Sequence, residues 1–267
     1  MQRNRLRWLE AASAIVMTTL AGTAGAYAPR PGATTGVTWL ALGDSYTIGE
    51  GVAVEARWPM QLAKALRSDG IAIDDPRIVA TTGWTTDELS AALDIMDAEF
   101  VGTASAASSS TRGESQTLAA EAAPTKATAR GYGFVSLLIG VNDQYRGRDE
   151  KAYREGFAAL LERAIAYAGG HADRVLVLPI PDWGVTPFAA REGRDPARIA
   201  HELDGYNAIA RELCMKRGVA FVDITTVSHE RGAEASMLVD DGLHPSAAMY
   251  AEWVRLALPV ARGLLAR

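Results

Sequence analysis

From residue 36 onward, short apolar runs closed by a glycine alternate with longer stretches whose apolar residues recur at helical spacing. Thr38-Trp39-Leu40-Ala41-Leu42 runs without a charge into Gly43, the pattern of a strand buried on both faces. Arg57 to Arg67 places Trp58, Leu62, Ala65 and Leu66 on one helical face. Arg77-Ile78-Val79-Ala80 reads as a second strand, with Gly83 just beyond it. Thr85 then starts a helix, and Glu88 three residues on is its capping-box partner. Phe134 to Ile139 is a third strand, again closed by glycine. Lys151 to Tyr167 is a long amphipathic helix. Arg174 to Leu178 and Ala220 to Ile224 are the fourth and fifth strands, with helices over Pro196 to Lys216 and Ser246 to Leu265. Such alternation predicts an α/β fold: a parallel sheet of about five strands with helices on both faces. In sheets of this kind ligands bind beyond the carboxyl ends of the strands.

Two segments depart from the alternation. Between Val101 and Arg130, Ala, Ser and Thr fill 19 of 30 positions, with no aromatic residue and no isoleucine. So little apolar surface predicts an insertion at the surface of a single domain spanning 36–267, rather than a domain of its own. A lid over the active site is the alternative, since the segment lies between the second and third strands. At the N-terminus, Arg3, Arg5 and Arg7 precede a largely apolar run from Ala11 to Leu20, and small residues follow. Ala24-Gly25-Ala26 and Ala26-Tyr27-Ala28 both fit an A-x-A cleavage pattern, so residues 1–28 read as a secretory signal peptide. The expected location is periplasmic or secreted, with no stable membrane span once the segment is removed, because the apolar run is too short to cross a bilayer comfortably.

Composition then narrows the chemistry. Hydrophobic residues make up 48% of the 267, charged residues 22%, and the net charge is −5, so nucleic acid is not an expected partner. Nothing implies a protein partner either. The one cysteine, Cys214, lies in an apolar-periodic stretch and reads as a core residue.

Gly43-Asp44-Ser45 puts a serine directly after a buried strand, where the free N–H groups of a following helix favour an oxyanion. The tripeptide alone is also ordinary turn chemistry. Of the four histidines, His171 and His229 fall in polar loops and His201 on a charged helix face. His244 has Asp241 three residues before it in a short loop, and an Asp–His pair of this kind fixes the tautomer of a general base. Asp240 is a neighbouring carboxylate, and Asp241 is the favoured partner because successive side chains diverge. Ser246 caps the final helix in the same reading. Gly83 after the second strand and the Asn142 amide after the third would each offer a donor to a developing oxyanion, although Gly83 also suits a tight turn and Asn142 a cap.

With these residues the chain resembles the SGNH hydrolases, the GDSL-type esterase and lipase family. The blocks are Gly43-Asp44-Ser45-Tyr46, with tyrosine where the family often has leucine, then Gly83, then Gly140-Val141-Asn142-Asp143, then Asp241-Gly242-Leu243-His244-Pro245, in the family's order. The resemblance implies a flavodoxin-like three-layer α/β/α sandwich. It also implies a serine hydrolase that cleaves carboxylic esters through an acyl-enzyme on Ser45, with His244 as base, oriented by Asp241. The oxyanion hole would be formed by the N–H groups of Ser45 and Gly83 and the side chain of Asn142. No metal or organic cofactor is expected, only a small-molecule ester. An α/β-hydrolase is excluded, because Gly43-Asp44-Ser45-Tyr46-Thr47 lacks the second glycine of its elbow.

The substrate stays open between short-acyl esters, lysophospholipids and O-acetylated carbohydrates. Trp84, Tyr145 and Trp183, each following a strand end, are candidates to line its site. The competing function is a non-catalytic carbohydrate- or lipid-binding protein on the same fold, which would have no need of the intact Ser, His and Asp.

Overall fold

A computed structural model describes residues 36–109 and 131–266. Five parallel strands form one sheet: β1 (Trp39–Gly43), β2 (Arg77–Ala80), β3 (Phe134–Leu138), β4 (Val175–Val177) and β5 (Ala220–Phe221), in the order β2-β1-β3-β4-β5. Leu42 is in register with Val79 on one side and Leu137 on the other, and Val177 with Leu137 and Phe221. The order reverses at β1, which has β2 on one side and β3 on the other. At that switch point the connections leave in opposite directions and open a crevice past the strand ends.

The strands form where the sequence is uninterruptedly apolar. Every residue of β1, β3 and β4 is buried, whereas the edge strand β2 is partly exposed and starts on an arginine. One polar side chain sits within β3, and it is satisfied: Ser136 Oγ accepts the indole N–H of Trp39 at 3.1 Å.

Nine helices are described: α1 (Ser45–Ile48), α2 (Trp58–Ser68), α3 (Thr86–Ser109), α4 (Val141–Tyr145), α5 (Glu150–Tyr167), α6 (Pro187–Glu192), α7 (Pro196–Arg217), α8 (Thr225–Arg231) and α9 (Ala247–Leu265). Helix α2 packs on α9, while α5 packs on both α3 and α7, so the sheet lies between two helical layers. The fold is the expected three-layer α/β/α sandwich. In α9, Tyr250, Trp253, Val254, Ala257 and Ala261 are buried at spacings of three and four residues. Ser246 caps this helix, its Oγ accepting from the N–H groups of Ala248 (3.2 Å) and Met249 (3.4 Å). Cutting Trp253 to alanine would remove its largest fully buried ring, at a cost of about 3–5 kcal/mol. On α7, Cys214 is fully buried, and that burial pushes its thiol up to about 12.

Several boundaries differ from the sequence expectation. Strand β5 stops at Phe221, because the Asp223 carboxylate accepts from Thr225 N–H (2.9 Å) and Thr225 Oγ1 (2.5 Å) and turns the chain into α8. Strands β3 and β4 are likewise shorter at their ends, closing at Leu138 and Val177. His229 lies in α8 rather than in a loop. Helix α3 continues to Ser109, so the first nine positions of the Ala/Ser/Thr-rich segment are helical. Positions 110–130 and the N-terminal segment 1–28 lie outside the described residues. Among the described residues no helix is long and apolar enough to cross a membrane.

Candidate active site

Four loops meet at the switch point. Ser45 leaves β1 as the first residue of α1, 4% exposed, where its N–H has no intrahelical acceptor. Asp44 caps that turn: its Oδ1 accepts from Tyr46 N–H at 3.0 Å, and its carbonyl from Thr47 and Ile48. Asp44 is fully buried and its Oδ2 has no partner among the described residues. Burial, opposed by the Tyr46 hydrogen bond but helped by the nearby Asp143 charge, raises its pKa to about 7. Tyr46 sets its ring edge-on to His244 at 5.9 Å and against Trp253 at 6.2 Å. It thereby joins α9 to the floor of the site.

The loops after β2 and β3 are bound to each other. Asn142 donates one amide hydrogen of Nδ2 to the Trp84 carbonyl at 2.9 Å, which leaves the other hydrogen of that amide for a ligand. Arg146 donates to the Gly83 carbonyl at 2.6 Å and to both oxygens of Glu88. The buried Asp143 carboxylate accepts from Thr86 N–H (2.9 Å) and Thr86 Oγ1 (2.7 Å). Thr85 and Glu88 form the expected capping box. Gly83 has φ +88°, and a Cβ there would meet nothing closer than an Arg146 nitrogen at 3.7 Å. Its glycine is therefore required by backbone conformation, not by crowding.

Asp241 to His244 form a tight loop below α9. Asp241 Oδ1 accepts from the N–H groups of Leu243 (2.7 Å) and His244 (2.9 Å), and Oδ2 lies 2.6 Å from His244 Nδ1. Burial raises the Asp241 pKa, but the hydrogen bonds from the His244 ring and the two N–H groups outweigh it and hold the carboxyl below its usual range. An ionised carboxylate only accepts, so Nδ1 of a neutral His244 carries the proton and Nε2 keeps a lone pair. The neighbouring Asp240 is exposed, and the partner of His244 is Asp241.

These residues enclose one cavity of about 210 Å³. Its lining includes Ser45, Gly83, Asn142 and His244, together with Tyr145, Trp183, Phe188 and Leu243. Of the aromatic residues expected there, Trp84 is absent from the lining; its ring is half-buried against the core and only its carbonyl serves the site. Trp183 is buried and fixed by its indole N–H to Gln144 Oε1 at 2.9 Å, while Tyr145 packs edge-on to it and stays 41% exposed at the rim. Phe188 and Leu243 escape a reading by motif. Phe188 sits on a six-residue helix with no periodic signal, and Leu243 lies inside the histidine loop with no signal of its own.

Elsewhere, His171 and His201 are exposed. His229 Nε2 lies 3.2 Å from Oδ2 of the buried Asp182, a second Asp–His pair. Ser228 beside it is committed to the backbone: its hydroxyl donates to the Thr225 carbonyl and accepts the Asp182 N–H.

The comparisons with known proteins bear on the family and the fold. The model of the GDSL-like Lipase/Acylhydrolase family matches residues 41–252. No curated protein matches the chain. Among solved structures, TesA superposes with a TM-score of 0.59 at 18% identity, covering 85% of this chain and 99% of that one. The lipase/acylhydrolase from Enterococcus faecalis gives 0.56 at 17% identity, over 85% and 95%. A variant of Axe2, an acetyl-xylooligosaccharide esterase from Geobacillus Stearmophilus, gives 0.56 at 17%, over 85% and 94%. At these identities the likeness is one of fold.

Proposed function

We infer from the site that this chain, which belongs to the GDSL-like Lipase/Acylhydrolase family and is an ester-bond hydrolase, works through an acyl-enzyme on Ser45. The observation that carries the reading is the ionised Asp241 held 2.6 Å from Nδ1 of His244, on a ring that shares a cavity with Ser45. Ser45 Oγ attacks the acyl carbon while Nε2 of His244 takes its proton. The carbonyl oxygen becomes an oxyanion and receives hydrogen bonds from Ser45 N–H, Gly83 N–H and the remaining Asn142 amide hydrogen. Asp241 stabilises the imidazolium. Collapse expels the alcohol, whose oxygen collects the proton from His244, and leaves the acyl group on Ser45. Water then repeats the sequence: His244 takes its proton, the hydroxide oxygen adds to the acyl carbon, and Ser45 leaves reprotonated.

The acyl group is short. The cavity, at about 210 Å³, falls below the roughly 300–1,000 Å³ usual for drug-sized ligands, and Val141, Trp183, Phe188 and Leu243 give its lining an apolar character. A lysophospholipid chain is therefore disfavoured. O-acetylated carbohydrate is the second reading, because the half-exposed Tyr145 ring stands at the rim, where a sugar could stack beyond a buried acetyl group.

Burst release of p-nitrophenol from p-nitrophenyl acetate, abolished by Ser45→Ala, tests the nucleophile. Equal turnover by both proteins would sink it. An acetate-to-octanoate series and an acetylated xylooligosaccharide then separate the substrate readings. Export of the chain rests on the sequence of residues 3–28. N-terminal sequencing of the mature protein should begin near residue 27 or 29, and an intact Met1 would refute it.

A further inference from the structure

Helix α6 reaches the histidine loop from outside, through two of its residues. It lies in the connection between β4 and α7, capped at its start by Thr186 and ended by Gly193. Phe188 N–H donates to the Gly242 carbonyl at 3.0 Å. The Arg191 guanidinium donates through Nη2 to the Asp241 carbonyl, a charge-assisted bond. Among the described residues this carbonyl is the one hydrogen-bond partner of the Arg191 side chain. Gly242 makes room for it: φ there is +69°, and a Cβ would stand 3.0 and 3.4 Å from Arg191 Nη1 and Nη2.

The loop's internal bonds fix its shape. Val239 N–H donates to the His244 carbonyl, Gly242 N–H to the Val239 carbonyl, and the Asp241 carboxylate accepts from Leu243 and His244. None of these ties the turn at Asp241-Gly242 to another element, whereas the two bonds from α6 do.

We propose that Arg191 is a positioning residue that holds the Asp241 backbone, and through it the carboxylate, against Nδ1 of His244. Helix α6 is then an external clamp on the base. The same helix places Phe188 in the cavity wall, so the acyl group meets the element that secures the histidine. The proposal rests on the acyl-transfer reading of this site.

Two variants and two readouts test it. Arg191→Gln lowers kcat for p-nitrophenyl acetate about 10–100-fold, the scale of a misplaced catalytic group. KM stays within about twofold, since Arg191 is not among the residues that line the cavity. Arg191→Lys restores kcat to within about threefold of wild type, because one charged N–H suffices for one carbonyl. An unchanged kcat in Arg191→Gln overturns the proposal. So does a fall that only tracks the fraction of enzyme titrated by a stoichiometric phosphonate, which would mark a folding defect.

The second readout is independent of turnover. The His244 Nδ1 proton gives a downfield NMR resonance that Asp241→Asn removes. It broadens or disappears in Arg191→Gln and returns in Arg191→Lys; a resonance unaltered in Arg191→Gln overturns the clamp. A wild-type protein inert towards every ester would defeat the acyl-transfer reading, and the resonance would still decide the clamp.

Discussion

His244 Nδ1 lies 2.6 Å from Oδ2 of Asp241, and the other oxygen of that carboxylate is already taken by the backbone N–H groups of Leu243 and His244. The carboxylate therefore shapes the loop with one oxygen and orients the His244 ring with the other. Asp241→Asn separates these roles. The single amide oxygen goes to the Leu243 and His244 N–H groups, leaving the amide NH₂ towards Nδ1. Nδ1 must then accept, which moves the ring proton to Nε2 and removes the lone pair there that could take a proton from Ser45. We expect kcat to fall by about 10⁴ with the fold intact, as an unchanged circular-dichroism spectrum would report. A loss below tenfold would show that His244 is oriented by something else.

Asn142 joins two loops and has an amide hydrogen to spare. Asn142→Ala should lower kcat about 10²–10³-fold with little change in KM, because the bond strengthens only as charge develops on the oxygen. Losing the bond to the Trp84 carbonyl should cost about 1 kcal/mol in urea unfolding. A raised KM at constant kcat would instead make Asn142 a ground-state binding group.

Phe188 and Leu243 are apolar residues in the cavity lining. Phe188→Ala should open it and shift the preferred p-nitrophenyl ester from acetate or butyrate towards hexanoate or octanoate. An unchanged chain-length profile would place the acyl group elsewhere.

Asp44 makes stability depend on pH. Its folded pKa of about 7 lies above the ordinary 3.8, so the fold prefers the protonated carboxyl. Stability from this group is complete below about pH 4, is lost as pH rises through about 7, and is absent above. Asp44→Asn keeps an oxygen for Tyr46 N–H and removes the charge. It should raise the melting temperature by a few degrees at pH 8 and leave it unchanged at pH 4. A lower melting temperature at pH 8 would mean that the charge of Asp44 is compensated in the fold.

The sheet was legible because β1, β3 and β4 are buried on both faces and so spell unbroken apolar runs. Ser246 and Thr85 were legible as caps because capping is local. Asp241 and His244, three residues apart, could be paired from spacing alone, and the structure places them together. What the sequence hid is non-local or carried by short elements. The shortness of β5 follows from Asp223 bonding its own downstream backbone, which hydropathy does not register. The bond from Arg191 to Asp241 spans fifty residues and starts on a helix too brief for any period. Trp84 followed a strand end like Trp183, yet its ring turned to the core, because position on the chain says nothing of rotamer.

The lone thiol of Cys214 has a practical consequence. With its pKa near 12 and no exposure, it offers almost no thiolate at neutral pH, so an alkylating reagent finds it only when the layer of α5 and α7 opens. Mass-spectrometric labelling of the unaltered chain thus serves as a clock for that opening, with one site and one added mass to read. Denaturant that loosens the loops around Ser45 first and α7 last would register as activity lost before any label is gained.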